Sequence, residues 1–402
     1  MRSLAPVLCL LCGAASGYTV RPFKINLSSE SVRMKALVKQ TRLPENSVLG
    51  SLGGGIRLSW LRDRQKDWIE SFDWEKEQLE MNQFNHSTVD IGNMTVHFIH
   101  QRSSDPNAIP LLLTHGWPGS FYEFHELCLF LVRFHVVVPS LPGFGFSSPA
   151  PSGWNLNNTA DLFDTLLTEV LGYKTYAAVG GDWVMNIIHE CYSNSAPNTK
   201  YFCGSLYTGM IPQLGPLLGD LNNHTSFANQ MATLGEAEKQ RIQSNAIFPT
   251  DGWGYFLEQS TRPATIGLAL LDNPIGQLSW IGDGYTSGDP LMGMRPSTLD
   301  NNTILTSVSL YYLTRTFETS VNTYYQNPKE FAPIMRRAAN SIPMGFASYR
   351  YEAQYYPQFY VAKVGNLVYY SDHERGGHFS ALDNPPAYLE DVRSMMGRWY
   401  TP

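Results

Sequence analysis

The stretch Tyr176-Ala177-Ala178-Val179-Gly180-Gly181-Asp182-Trp183-Val184 constrains the fold of this chain more than any other. An apolar run of strand length meets a glycine pair, and a helix is expected beyond it. A strand-to-helix turn this sharp needs small flanking residues, and it projects its central residue above the edge of a sheet in a strained conformation. Here that residue is a carboxylate, Asp182. Taken alone, the pattern also fits an aspartate capping the first turn of a helix, where it would accept unpaired N–H groups.

The rest of the chain supplies the sheet. Short apolar runs at Thr95-Val96-His97-Phe98-Ile99-His100, Ile109-Pro110-Leu111-Leu112-Leu113, Phe134-His135-Val136-Val137-Val138 and Tyr176-Ala177-Ala178-Val179 suit buried strands of a largely parallel sheet covered by helices on both faces. Further strands are expected at Tyr201 to Tyr207, Ile342 to Ala347 and Leu367 to Tyr370. Residues 18–97 read as a helical, polar N-terminal segment, in which Ser29-Glu30-Ser31-Val32-Arg33 resembles a capped helix start. Trp68, Phe72 and Trp74 follow at helical spacing, which favours packing against a body over a ligand cage. The expected organisation is a sheet-bearing core over 98–209 and 328–402, interrupted by a helix-rich lid over 210–327 with Asp-Gly and Asn-Pro turns. The class is α/β, with no internal repeat and no low-complexity tract.

Composition narrows the partners. The 402 residues are 43% hydrophobic and carry a net charge of -6 without a basic run, so nucleic acid is not an expected partner and small neutral molecules are. A homodimer is compatible with such a chain. Met1, Arg2, the apolar run Leu4 to Leu11 and the small residues Gly13 to Gly17 have the layout of a secretory leader, cleaved after Gly17. The alternative, a membrane anchor that would keep the protein at the endoplasmic reticulum, is disfavoured because a span needs about 20 apolar residues. No stable membrane span is expected. Sequons at Asn26, Asn85, Asn93, Asn157, Asn223 and Asn301 agree with export. Beyond the leader, Cys128, Cys191 and Cys203 are too few and too dispersed for a metal site. They read either as a Cys191–Cys203 disulfide with one buried thiol or as three buried thiols.

Motifs around the elbow raise Asp182 above a helix cap. Leu113-Thr114-His115-Gly116-Trp117-Pro118-Gly119-Ser120 follows an apolar strand, where α/β-hydrolases place a loop that supplies an oxyanion-hole N–H. Val138-Pro139-Ser140-Leu141-Pro142-Gly143-Phe144-Gly145-Phe146-Ser147 forms a second such loop. Arg375-Gly376-Gly377-His378-Phe379 places a histidine after the last expected strand, and Glu352 follows the strand Ile342 to Ala347. The chain order is then nucleophile, acid, histidine, as in that fold. Asp372, Glu374 and Asp383 are rival acids, set aside as too near His378 in sequence.

With these motifs the chain is similar to the microsomal-type epoxide hydrolases, including their juvenile-hormone and fungal branches, over nearly the whole length after the leader. Phe72-Asp73-Trp74 with Leu79, Asn82 and Phe84 falls where the N-terminal wrap-around motif of that family lies. The resemblance implies an α/β-hydrolase core with a helical lid and a helical N-terminal wrap-around segment, and it implies no cofactor and no metal. It makes Asp182 the nucleophile, His378 the base and Glu352 the acid that orients it. Backbone N–H groups of Trp117 and Trp183 become the oxyanion hole. It also implies two lid tyrosines on the epoxide oxygen: Tyr255, within Gly254-Tyr255-Phe256-Leu257-Glu258, and Tyr324, whose neighbour Tyr325 competes for the same register.

The expected substrates are a small lipophilic epoxide and water. Ring opening develops an alkoxide, which paired phenols in a dry pocket can hold and protonate, while the carboxylate attacks from the other side. One position departs from the family pattern: Val184, a β-branched residue where a small one is usual. It reads as a local repacking; the alternative is a distorted elbow and a slow, specialised enzyme. Two other functions fit parts of the pattern. A haloalkane dehalogenase shares the aspartate and histidine but needs halide donors, and a secreted binding protein on this fold would bind epoxides without turnover.

Overall fold

The computed structural model describes residues 17–51, 54–128, 130–182, 202–208, 228–245, 247–327 and 341–400. Among them the strands are β1 (Arg21–Pro22), β2 (His86–Ile91), β3 (Met94–Gln101), β4 (Ile109–Thr114), β5 (Phe134–Pro139), β6 (Tyr176–Gly180), β7 (Phe202–Thr208), β8 (Pro343–Tyr349) and β9 (Asn366–His373). They form one sheet in the order β1-β2-β3-β5-β4-β6-β7-β8-β9. From β5 to β9 every pairing is parallel; β1, β2 and β3 add an antiparallel edge. The runs Leu111–Leu113, Val136–Val138 and Tyr176–Val179 are buried throughout. Helices cover both faces there, so the sequence shows unbroken apolar runs instead of alternation.

All seven strands expected from apolar runs are present, within a few residues of their expected bounds. The reading of residues 18–97 as helical is corrected over its last part, where β2 lies. His86-Ser87-Thr88-Val89-Asp90-Ile91 pairs with β3 in a hairpin that turns at Gly92-Asn93, with Ile91 opposite Met94. Gly92 has φ 57°, which a tight hairpin turn requires at its first central residue. The polar residues of β2 conceal it, because Ser87, Thr88 and Asp90 are only partly buried or exposed near the edge of the sheet.

The long helices of the N-terminal segment are Ser28–Gln40, Leu58–Glu70 and Trp74–Met81, with a single turn at Val48–Ser51 between the first two. The expected cap at Ser29 is absent. The first helix starts after Leu27 with no side-chain cap, and Ser28 Oγ instead donates to Glu75 Oε2 at 2.6 Å. Asp73 does cap the third helix, accepting from Glu75 N and Lys76 N. Trp68, Phe72 and Trp74 are buried as packing residues. Trp68 Nε1 donates to Ser309 Oγ at 3.1 Å, and Glu77 accepts from Asn302 and Thr306, so the segment is fastened to the helix Asn301–Leu313. That helix is buried on all sides from Thr303 onward, which is why its sequence lacks an apolar stripe.

Between β7 and β8 lie the helices Gly254–Thr261, Pro263–Leu270, Pro274–Ser287, Asn301–Leu313 and Phe317–Gln326, preceded by Ala228–Thr233 and Glu236–Ser244. Cys128 is a buried free thiol, and burial pushes its pKa up to about 12. Cys191 and the side chain of Cys203 lie outside the described residues, as do Val184, Trp183 and Asn223. No helix among the described residues is long and apolar enough to cross a membrane.

Candidate active site

The site begins with backbone geometry at the end of β6. Asp182 has φ 55°, a left-handed conformation that costs a non-glycine residue about 1–3 kcal/mol and persists only where the surroundings impose it. Two glycines impose it here. A Cβ on Gly181 would stand 2.6 Å from the carbonyl oxygen of Thr208 at the end of β7, and a Cβ on Gly116 would stand 2.3 Å from Asp182 Oδ1. The elbow is thus wedged between β7 and the loop after β4, with no space for a side chain at either neighbour.

The partners of Asp182 arrive from three other loops. Trp117 N donates to its Oδ1 at 2.9 Å, and His378 Nε2 lies 3.3 Å from its Oδ2. On the other side of the imidazole, His378 Nδ1 is 3.0 Å and 3.2 Å from the two oxygens of Glu352, which is almost fully buried. A backbone N–H from Ala353 fixes Glu352 Oε1 at 2.8 Å. Burial pushes the pKa of His378 down, but the charges and hydrogen bonds of Glu352 and Asp182 outweigh it and hold the imidazole well above its ordinary value. The structure therefore brings Asp182, His378 and Glu352 together across a separation of 196 residues in sequence (378 − 182).

The rival acids are placed elsewhere. Asp372 binds Arg241 at 2.9 Å, and Glu374 is exposed. Asp383 Oδ2 accepts from Gly377 N at 3.1 Å and so braces the histidine loop, while burial, then the charge of Asp289, raises its pKa to about 7.

The lid contributes aromatic residues. The Tyr255 ring stacks on Trp117 with centroids 5.5 Å apart and 10° between planes, and Tyr324 meets both rings edge-on at 6.0 Å and 5.7 Å. Burial drives the Tyr255 hydroxyl well above its usual pKa, the charges of Asp182 and Glu352 add to this, and a hydrogen bond with Tyr324 opposes it. Tyr255 is consequently a phenol at any working pH. Of the two adjacent lid tyrosines, Tyr324 is 1% exposed and Tyr325 58%.

The loop carrying Trp117 is held rigidly. His115 Nδ1 meets Gly116 O at 3.0 Å, and its Nε2 accepts from Leu141 N at 3.2 Å, which sets the tautomer and joins the two glycine-rich loops. Burial lowers the His115 pKa to about 4, so this histidine is neutral and structural. Tyr285 and Tyr311 donate to the carbonyls of Pro118 and Gly119 at 3.3 Å and 2.7 Å. Gly143, at φ 86°, approaches the lid helix that bears Tyr324, where Thr319 Oγ1 donates to its carbonyl at 2.6 Å.

One carboxyl-bearing residue of the site went unnoticed in the sequence. Glu123, in Gly119-Ser120-Phe121-Tyr122-Glu123-Phe124, lines a cavity with Thr114, Trp117, Asp182, Thr208 and His378. A carboxylate within an otherwise apolar run directly after the His-Gly-Trp-Pro motif is the signal that could have found it.

The sheet order and the strained elbow define an α/β-hydrolase fold, and residues 109–183 match the family described as alpha/beta hydrolase fold. Residues 20–124 match the family described as Epoxide hydrolase N terminus. A provisionally named epoxide hydrolase of Stigmatella aurantiaca is 32% identical over 93% of this chain and 84% of that protein. An enantioselective mutant of the Aspergillus niger epoxide hydrolase superposes with a TM-score of 0.82 at 30% identity, covering 96% of this chain and 98% of that one. The juvenile hormone epoxide hydrolase of the silkworm Bombyx mori gives 0.83 at 25%, over 95% of each chain. The chain belongs to the epoxide hydrolase family, a family of hydrolases.

Proposed function

We propose that this protein converts a lipophilic epoxide to a vicinal diol through an ester on Asp182. The observation that carries the reading is the strained carboxylate, which has a backbone donor on one oxygen and the His378 imidazole on the other, close to two lid phenols. Asp182 attacks a ring carbon, the C–O bond of the ring breaks, and Tyr255 and Tyr324 hold and protonate the alkoxide. Esterification removes the negative charge of Asp182, one of the two charges that keep His378 protonated. The imidazolium proton then makes good the one the phenol gave to the alkoxide, which leaves His378 a neutral base, still oriented by Glu352. It takes a proton from water, the oxygen adds to the carboxyl carbon of Asp182, and the oxyanion is stabilised by Trp117 N–H and, on this reading, by Trp183 N–H. Collapse releases the diol.

Single turnover in oxygen-18 water tests the ester. The heavy oxygen is expected in Asp182; its direct appearance in the diol would refute a covalent intermediate.

Export through the leader 1–17 with glycosylation is a further part of this proposal. Asn26, Asn85, Asn93 and Asn301 are exposed, whereas Asn157 is half-buried at the start of a helix, so sugar is expected on the first four and not on the fifth. Peptide mapping of the secreted protein after deglycosylation reads both the cleavage site and the occupied asparagines.

A further inference from the structure

Ester hydrolysis needs one water held between the base and a carboxyl carbon, and a second contact must aim its lone pair. The cavity beside the site is where such a water fits. It offers ≈ 20 Å³ to the centre of a water molecule, above the roughly 10–15 Å³ that one water requires. Asp182 and His378 form part of its wall, and Glu123 is the carboxyl group on the remainder.

Glu123 is delivered there by construction. Ser120 caps the short turn Phe121–Phe124, its Oγ accepting from Tyr122 N at 3.2 Å. The carboxyl then occupies the volume that Gly119 leaves free, since a Cβ on Gly119 would fall 1.4 Å from Glu123 Oε1. The backbone at Ser120 favours the charged carboxyl, and no side chain among the described residues hydrogen-bonds it. The carbonyls of Pro118 and Gly119, in the loop that leads into this turn, are tied to Tyr285 and Tyr311.

We infer that Glu123 is a positioning residue for the hydrolytic water: its carbonyl oxygen accepts one hydrogen of a water whose other hydrogen faces His378 Nε2. The inference rests on the ester mechanism above. One water proton passes to His378, the water oxygen bonds to the carboxyl carbon of Asp182, and the C–O bond to the alkyl group breaks. His378 returns its proton to the departing alkoxide, so Glu123 neither gains nor loses one. Burial supports this role by raising the Glu123 pKa to about 8, with the charge of His378 opposing and those of Asp182 and Asp383 adding, which leaves a neutral acid at pH 7.

The test separates the two half-reactions of the full-length enzyme with styrene oxide as probe, using rapid quench and intact-protein mass to follow the ester. Glu123→Leu is expected to form ester within about threefold of the unsubstituted rate and to hydrolyse it about 100-fold more slowly, the scale of a misplaced reactant. Glu123→Gln, which keeps a neutral carbonyl, is expected to restore hydrolysis to within about threefold at pH 7. Equal slowing of both half-reactions in Glu123→Leu, or unchanged hydrolysis, would overturn the inference. Should Glu123→Leu not fold, the pH profile of ester hydrolysis decides. A break near pH 8 that vanishes in Glu123→Gln supports it, and a break that persists, or none in the parent enzyme, overturns it. If His378→Gln, which cannot hydrolyse an ester, accumulates none, the covalent reading itself fails and this inference with it.

Discussion

The two flanks of the sheet each carry histidines, and they treat them in opposite ways. On the β2–β3 flank His86 Nδ1 lies 2.9 Å from His97 Nε2, His97 Nδ1 lies 2.8 Å from Ser140 Oγ, and His86 Nε2 lies 2.8 Å from Met81 O. Every partner there is neutral. Burial lowers both pKa values, and for His97 the neighbouring His86 and His115 lower it further. On the β8–β9 flank the His378 side chain is 23% exposed, and there Glu352 and Asp182 outweigh the effect of its partial burial. Burial alone therefore does not make a histidine functional. A charge beside the ring shifts it toward the protonated state, as Glu352 and Asp182 do for His378, and that is the state the proposed chemistry passes through.

The comparison can be broken at its charged end first. Asp182→Asn is expected to reduce turnover by about 10⁴-fold or more, the scale of losing a nucleophile, and to lower the pKa of His378; diol assays and NMR titration of the imidazole read the two effects. Next, Glu352→Gln removes the remaining charge while keeping the shape, so a loss of about 10³-fold is expected, falling on ester hydrolysis instead of ester formation. Equal loss in both half-reactions would mean that Glu352 mainly supports the fold. Tyr255→Phe deletes one of two donors and should slow ring opening roughly 10- to 100-fold, with ester hydrolysis unchanged in the same rapid-quench experiment.

The neutral end sharpens the comparison through stability. His97→Phe should leave turnover per folded molecule unchanged and cost about 1–3 kcal/mol in chemical denaturation, since Ser140 and His86 lose a buried partner. The pH dependence carries the opposite sign on the two flanks. A histidine whose folded pKa is lowered binds fewer protons native than unfolded, so its contribution is intact above about pH 6.5 and is lost on acidification, by roughly 1.4 kcal/mol per pH unit for each such group. For His115 the loss runs down to about pH 4. His378 is raised, so its contribution is intact below about pH 6.5 and fades only as pH climbs through its folded value. Denaturation midpoints at pH 7, 6 and 5 should therefore fall steadily, and the fall should shrink in His97→Phe.

Much of the site was legible because its chemistry demands rare local patterns. Gly181, directly before Asp182, is needed for backbone clearance against Thr208, where a Cβ would stand 2.6 Å from the carbonyl oxygen. Apolar runs announced the central strands because those strands are covered on both faces. Other features gave no local signal. The β1–β2 edge carries polar residues that read as a helical segment until pairing with β3 reveals them. Glu123 lies outside the elbow, base and acid motifs, and its proximity to His378 arises from the path of one short turn.

The sequence by itself determined the order of the strands along the chain, the elbow and the identity of the groups that can react, since these depend on backbone clearance and on which side chains carry charge. Only the tertiary structure decided which of several acids faces His378, which of two adjacent tyrosines is buried, and which buried histidines remain neutral. Those outcomes depend on distances between residues far apart in the chain, and electrostatic energy follows distance and burial instead of sequence order.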